Sequence, residues 1–160
     1  MSRLWSPWRM EYLTEERPQG CIFCLALAEE RDVDNLIVWR GERAFVMLNR
    51  YPYNAGHLMV IPNLHVPSVE DLPPETLTEM MLLVNRSLGA LRRAMAPHGF
   101  NIGANLGRVA GAGIADHVHL HLVPRWEGDT NFMPVLADVR VVPELLVDTY
   151  RKVRAALEEE

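Results

Sequence analysis

No stretch of the 160 residues reaches about 18 consecutive apolar side chains, the length a helix needs to cross a bilayer, so no transmembrane helix is expected. The opening, Met1-Ser2-Arg3-Leu4-Trp5-Ser6-Pro7-Trp8-Arg9, lacks an apolar core and a small-residue cleavage site; it is not expected to be a signal peptide, and the protein is expected to be cytoplasmic. Cysteine is scarce: Cys21 and Cys24 are the only two, and in that compartment they are read as thiols or metal ligands rather than a structural disulfide. Positive charge is also short, with 16 Lys and Arg against 21 Asp and Glu for a net charge of −5. A broad basic field for nucleic acid is thereby excluded, and any nucleotide must be held at a local site. Internal repeats, low-complexity linkers and breaks in composition are missing too, and 49% apolar with 23% charged residues is ordinary for one soluble domain.

What the sequence does have is His117-Val118-His119-Leu120-His121-Leu122-Val123-Pro124-Arg125-Trp126, three histidines alternating with apolar residues. On a strand these imidazoles share one face at spacings of roughly 6.6–6.8 Å, while Val118, Leu120 and Leu122 face a core. Each buried imidazole needs its own hydrogen-bond partner or ligand, which a purely packing role would not justify. Two chemistries want such a row: a neutral imidazole attacking phosphorus while its neighbours orient it and stabilise charge, or three ligands on a catalytic zinc. Spacing alone leaves both open.

Around that strand the chain reads as α+β. An aromatic opening through Gly20, with Trp5, Trp8, Met10 and Tyr12, is expected to form an arm over its own domain or a partner subunit, and residues 21–160 to form the domain. Cys21 to Glu30 suggests a short helix. Leu36–Arg40 and Ala44–Leu48, separated by Gly41-Glu42-Arg43, read as a hairpin; Asn49 through Gly56 is a loop, and His57–Ile61 a third strand. Pro73-Pro74 opens the one long helix, ending near Pro97, with an apolar stripe of Leu77, Met80, Met81, Val84, Leu88 and Leu91. Gly99–Leu106 is a fourth strand and the histidine row the fifth. From Pro143 a terminal helix carries Leu146, Tyr150, Val153 and Leu157 on one face. The sum is a five-stranded antiparallel sheet with a long helix and a C-terminal helix.

Between the last two strands, Gly107-Arg108-Val109-Ala110-Gly111-Ala112-Gly113 supplies three glycines in seven residues, letting backbone N–H groups approach an anion. Beside three histidines this is read as a phosphate cradle, with Gly111 and Gly113 in it.

The row from His117 to Val123 resembles the pattern that names the histidine-triad (HIT) superfamily, and Asn49-Arg50 through Gly56-His57-Leu58-Met59-Val60-Ile61-Pro62 is similar to that family's upstream loop and strand. Ala110 to Asp116, Pro124-Arg125-Trp126, Gly128-Asp129-Thr130-Asn131-Phe132 and the aromatic opening look most like the branch of diadenosine polyphosphate hydrolases and diadenosine tetraphosphate phosphorylases. The resemblance implies a HIT-like fold, a homodimer with continuous sheets, and nucleotidyl transfer through a nucleotidyl-histidine. His119 would attack the α-phosphorus, His121 would donate to a phosphoryl oxygen, and phosphate or water would resolve the intermediate. An imidazole with an ordinary pKa of about 6.5 is mostly neutral at pH 7, as that attack requires.

The resemblance also implies a nucleotide site: Asn49 at the ribose, Ile22, Phe23 and Met47 around the purine, and Asn105 near the phosphates. For Ile22, Phe23 and Met47, core packing is the competing reading, and for Asn49 and Asn105, turn formation. Where many relatives carry Gln followed by Ser or Thr before the triad, this chain has Gly113-Ile114-Ala115. Leaving-group contacts are then expected from backbone N–H groups, Asn105 or Trp126, which speaks against simple phosphoramidase activity.

Cys21 and Cys24 make half of a tetrahedral zinc site. His65 and His117 are the candidates to complete it, as in some relatives, giving a structural zinc; two buried thiols or a redox pair are the rivals. The resemblance implies that His57 opens a strand facing the site, with a hydrogen bond to a neighbouring strand as the competing reading; His98 is read as a solvated helix-end residue. Two other functions stay in view: a hydrolase with all three triad histidines on zinc, and a non-catalytic adenine-nucleotide sensor.

Overall fold

The computed structural model describes residues 20–129 and 144–159. The expected arm up to residue 19, Asn131, Phe132 and the Pro143 helix start lie outside the described residues. In chain order the elements are α1 (Ile22–Ala28), α2 (Asp32–Asn35), β1 (Ile37–Arg40), β2 (Ala44–Leu48), β3 (Leu58–Pro62), α3 (Pro74–Met95), β4 (Gly99–Gly103), β5 (Leu120–Arg125) and α4 (Leu146–Glu158). Single 3₁₀ turns at Val69–Asp71 and Arg108–Ala110 complete them.

The strands form one antiparallel sheet in the order β1-β2-β3-β5-β4. Because side chains alternate across a strand, its two faces collect different residues. Val46, Leu48, Leu58, Val60 and Leu122 pack with Met80, Leu83, Val84 and Leu91 of α3 and Tyr150, Val153 and Leu157 of α4. Ile37, Phe45, Met59 and Ile61 take the other face, covered by Phe23 and Ala26 of α1. With both faces covered, β2 and β3 are apolar almost throughout, which is why their sequences read as continuous apolar runs rather than alternating ones.

On α3 the buried stripe is centred on Met80, Leu83, Val84, Ser87, Ala90 and Leu91, which corrects the expected one: Leu77 and Met81 are exposed. The helix ends where Ala96 adopts a left-handed conformation (φ 46°), one residue before Pro97. Near the other end of the pairing, Arg86 and Arg93 donate to the Leu157 and Ala156 carbonyls at 2.7 Å each, satisfying acceptors that the end of α4 leaves without intrahelical partners.

The fifth strand is shorter than the histidine alternation predicts. Its ladder to β3 pairs Leu58 with Leu122, Met59 with His121 and Val60 with Leu120, and the next partner in that register for Val118 is Pro62, which has no N–H to give. Instead Val118 N–H donates to the Val66 carbonyl at 2.8 Å. His117 and His119 therefore stand in an extended lead-in outside the ladder, and only His121 is a strand residue.

Candidate active site and metal centre

All three triad imidazoles lie on the α1 side of the sheet, as alternation requires. Phe23 joins them from α1, its ring edge-on to His117 (centroids 5.4 Å apart) and to His119 (5.0 Å), while His119 and His121 meet at 4.7 Å. Phe23 is 1% exposed, so it forms the wall behind two histidines.

Each ring has a different partner, and the partners fix the tautomers. A carbonyl can only accept, so the 2.9 Å contact of His119 Nδ1 with the His117 carbonyl puts the proton on Nδ1 and leaves the lone pair on Nε2. A backbone N–H can only donate: Tyr53 N–H gives to His57 Nδ1 at 3.1 Å, so neutral His57 carries its proton on Nε2 and donates to His121 Nδ1 at 2.9 Å. The remaining proton of neutral His121 is then on Nε2. One neighbouring ring thus offers a lone pair at Nε2 and the other an N–H at the same atom.

Burial keeps these rings neutral. It lowers the pKa of His119, with its bond to the His117 carbonyl opposing, and lowers His121 to about 4, with His119 adding to the effect. His57 is fully buried and Tyr53 covers it, the Tyr53 ring lying 4.7 Å from His57 and 5.9 Å from His121. Holding that loop in place, Asn54 Nδ2 donates to the Pro124 carbonyl at 3.1 Å and to Asp129 at 2.8 Å, and Arg125 grips both Asp129 oxygens.

His117 faces a second cluster. Its Nε2–H donates to the Pro62 carbonyl at 2.8 Å, so its Nδ1 lone pair is turned toward Cys21 Sγ (3.3 Å), Cys24 Sγ (3.6 Å) and His65 Nδ1 (3.3 Å). Cys24 Sγ is also 3.4 Å from His65 Nδ1. The four donor atoms lie within 4.8 Å of one another and could hold a metal ion. Burial, with His65 and His119 adding to it against the Pro62 bond, lowers the His117 pKa, favouring the neutral ring a metal requires.

The other candidates lie on α1, β2 and the loops beside the sheet, and not all of them reach this centre. Ile22 is 41% exposed on α1, while Met47 is half-buried against the cluster that Phe23 anchors. Asn49 Oδ1 accepts from Tyr51 N–H at 2.9 Å, shaping the loop that leads to His57. The strand pair places Gly103 opposite His121, so the glycine loop leaves beside the third histidine and returns at the first. Within it, Gly107 (φ 80°) and Gly111 (φ 91°) take backbone conformations that favour glycine, and Asn105 Nδ2 packs 3.9 Å from where a Gly111 Cβ would stand. Gly113 lies on the return of the same loop. Trp126 is not brought to the histidines; it lines a cavity of about 390 Å³ with Ala55, with Ala94 and Met95 of α3, and with Glu144 and Lys152 at α4.

His57 makes the expected bond to a neighbouring strand, and its partner there is the third histidine. Alternation from Leu58 and Val60, which face α3, puts His57 with Met59 and Ile61 on the histidine face, and the place of β3 beside β5 makes His121 that partner. His98, as expected, is exposed near a helix end and accepts from Glu127 N–H at 3.0 Å.

Comparison with known proteins agrees with this geometry. A protein named AP-4-A phosphorylase from Mycobacterium tuberculosis is 40% identical over 159 residues, covering 94% of this chain and 82% of its own length. An adenosine 5'-monophosphoramidase of Saccharomyces cerevisiae is 35% identical over 106 residues, 66% of this chain and 63% of its own. Among solved structures, a Zn-bound histidine triad family protein from Mycobacterium smegmatis superposes with a TM-score of 0.68 at 30% identity, covering 88% of this chain and 94% of the other. The HIT domain family matches residues 30–128, and on that match together with these identities the chain belongs to the HIT family.

Proposed function

We propose that this protein cleaves dinucleoside polyphosphates, with diadenosine tetraphosphate as the substrate, by nucleotidyl transfer through His119. The observation that carries this is the bond from His119 Nδ1 to the His117 carbonyl, which leaves Nε2 unprotonated beside the Nε2–H of His121. In the first step the His119 Nε2 lone pair forms a P–N bond to the α-phosphorus. The P–O bond to the remaining polyphosphate breaks, and its electron pair stays on the departing oxygen, to which His121 Nε2–H donates. Inorganic phosphate then displaces the histidine, giving ADP beside the ATP already released; water in its place gives AMP.

The name of the 40% identical relative favours phosphate as acceptor. Ile22 and Met47 are read as the walls of the base site with Phe23 behind them, Asn49 as the ribose contact, and Asn105, Gly111, Gly113 and Trp126 as the phosphate and leaving-group contacts. The reading with all three histidines on one catalytic zinc loses support, since His117, His119 and His121 are committed to three different partners. A non-catalytic sensor would not need the lone pair at His119 Nε2.

For Cys21, Cys24, His65 and His117 the ion we propose is zinc, in a structural role. Tetrahedral zinc with two sulfur and two nitrogen ligands has N···N and N···S edges of about 3.3 and 3.6 Å, derived from its usual bond lengths. The 3.3 Å between nitrogens and 3.3–3.6 Å between nitrogens and sulfurs match. Thiolate ligands also suit the reducing cytoplasm. A homodimer is proposed through β4, an edge strand whose Asn101, Ile102 and Gly103 are exposed, with the opening through Gly20 as an arm ahead of the domain.

Incubation with diadenosine tetraphosphate, with and without inorganic phosphate, tests the reading. ATP and ADP formed only with phosphate are expected; ATP with AMP in both samples would make it a hydrolase, and no product in either would remove the activity.

A further inference from the structure

The metal cluster and the proposed nucleophile are joined through one residue, His117, and its backbone lies outside the strand ladder. His119 owes its reactive tautomer to the His117 carbonyl. That carbonyl precedes the ladder, which starts at Leu120, so strand pairing does not hold it in place. What holds it is the His117 side chain, anchored through Nε2 to Pro62 and through Nδ1 to the cluster, and the bond from Val118 N–H to the Val66 carbonyl. Apart from the Pro62 carbonyl, these supports sit beside or within the cluster. Val66 follows His65, and Phe23, whose ring touches both His117 and His119, lies between Cys21 and Cys24.

We propose that occupancy of the Cys21, Cys24, His65 and His117 cluster sets the tautomer and orientation of His119, with His117 as the positioning residue between them. Without an ion the two thiols and His65 can exchange protons and rotate, and the Pro62 carbonyl is left to hold the His117 ring from one side only. An ion holding all four fixes His117, and with it the carbonyl two residues before the nucleophile. When the carbonyl moves, nothing retains the proton on His119 Nδ1. The imidazole then reverts toward the Nε2–H form that it prefers in water, which blocks the nitrogen assigned to the attack. The cluster thereby acts on the chemistry of His119 and not only on the stability of α1.

This inference rests on the proposed role of His119, but its primary readout does not. In protein labelled with ¹⁵N-histidine, long-range ¹H–¹⁵N spectra report which ring nitrogen carries the proton. Zinc-loaded protein is expected to show His119 as the Nδ1–H form alone, and chelator-stripped protein to show a mixture with the Nε2–H form. His65→Ala, which removes the exposed ligand and keeps three, is expected to give the same mixture while circular dichroism shows the fold retained. With substrate, kcat for both is expected to fall roughly tenfold at unchanged KM. A folded His65→Ala or stripped protein that keeps the pure Nδ1–H form would overturn the coupling, even if the enzyme cleaves its substrate as proposed. If stripping unfolds the chain, His65→Ala decides by the same spectrum. Absence of any cleavage would sink the proposed activity while leaving the tautomer result to stand or fall by itself.

Discussion

His57 Nε2 and His121 Nδ1 are 2.9 Å apart, and the Tyr53 N–H on the far side of His57 dictates which of them donates. In the proposed mechanism His57 therefore acts through His121, keeping its Nε2–H available to a departing phosphoryl oxygen. His57→Ala is expected to lower kcat by roughly 10- to 100-fold with little change in KM. The loss should be largest for poor leaving groups and shrink for adenylates whose leaving group needs no proton, a trend a purely structural role would not give. Equal losses across such a series would remove His57 from the mechanism.

The acid limit of activity follows from the same pair. His121 binds a proton only near pH 4 in the folded protein, against 6.5 for an ordinary histidine. Protonation of Nδ1 would set two N–H groups against each other, so the His121 contribution is expected to persist through pH 6.5 and fail toward 4. Stability moves in the same direction. Between those values the unfolded chain takes up a proton that the folded chain refuses, so the His121 contribution is complete above 6.5 and declines as pH falls toward 4. Denaturant titrations at pH 7 and pH 5 should show the lower stability at pH 5.

Phe23→Ala tests the wall behind the histidines. Phe23 is buried with Ile37, Phe45, Met59 and Ile61, so truncation is expected to cost about 3–5 kcal/mol in urea unfolding. Phe23→Leu keeps most of the volume and loses the ring edge against His117 and His119; it is expected to retain most of the stability while lowering kcat.

Gly56→Ala should damage the loop that carries Tyr53 and Asn54. Gly56 has φ 75°, and an added Cβ would stand 2.6 Å from Met95 Sδ and 3.3 Å from Pro124. Strain at such a position costs of order 1–3 kcal/mol. Since His57 is the next residue, a drop in kcat is expected alongside a lower Tm.

Much of this was legible before any coordinates. The hairpin at Gly41-Glu42-Arg43, the helix beginning at Pro74, and the five strands follow from local signals: turn residues, proline at a helix start and apolar runs. The Cys21–Cys24 spacing and the alternation through His121 named most of the residues now found together. Where local signals misled, a partner elsewhere in the chain was responsible. Alternation carried the last strand back to His117, but Pro62 on the neighbouring strand cannot continue the ladder. Helical spacing puts Leu77 and Met81 on the apolar stripe, while the packing of α3 on the sheet and α4 buries Leu83 and Ala90 instead.

The sequence by itself determined the chemical inventory: three imidazoles on one face, two thiols three residues apart and a glycine loop ahead of the histidines. These depend on spacing along the chain, which backbone geometry converts directly into faces and turns. Only the tertiary structure decided which nitrogen of each imidazole holds the proton. A ring can serve as a nucleophile, a donor or a ligand only with the proton on the right nitrogen. That is set by groups distant in sequence: Pro62 and His65 for His117, and Tyr53, through His57, for His121. Strand order brought them together, because β3 lies beside β5 across a gap of more than fifty residues.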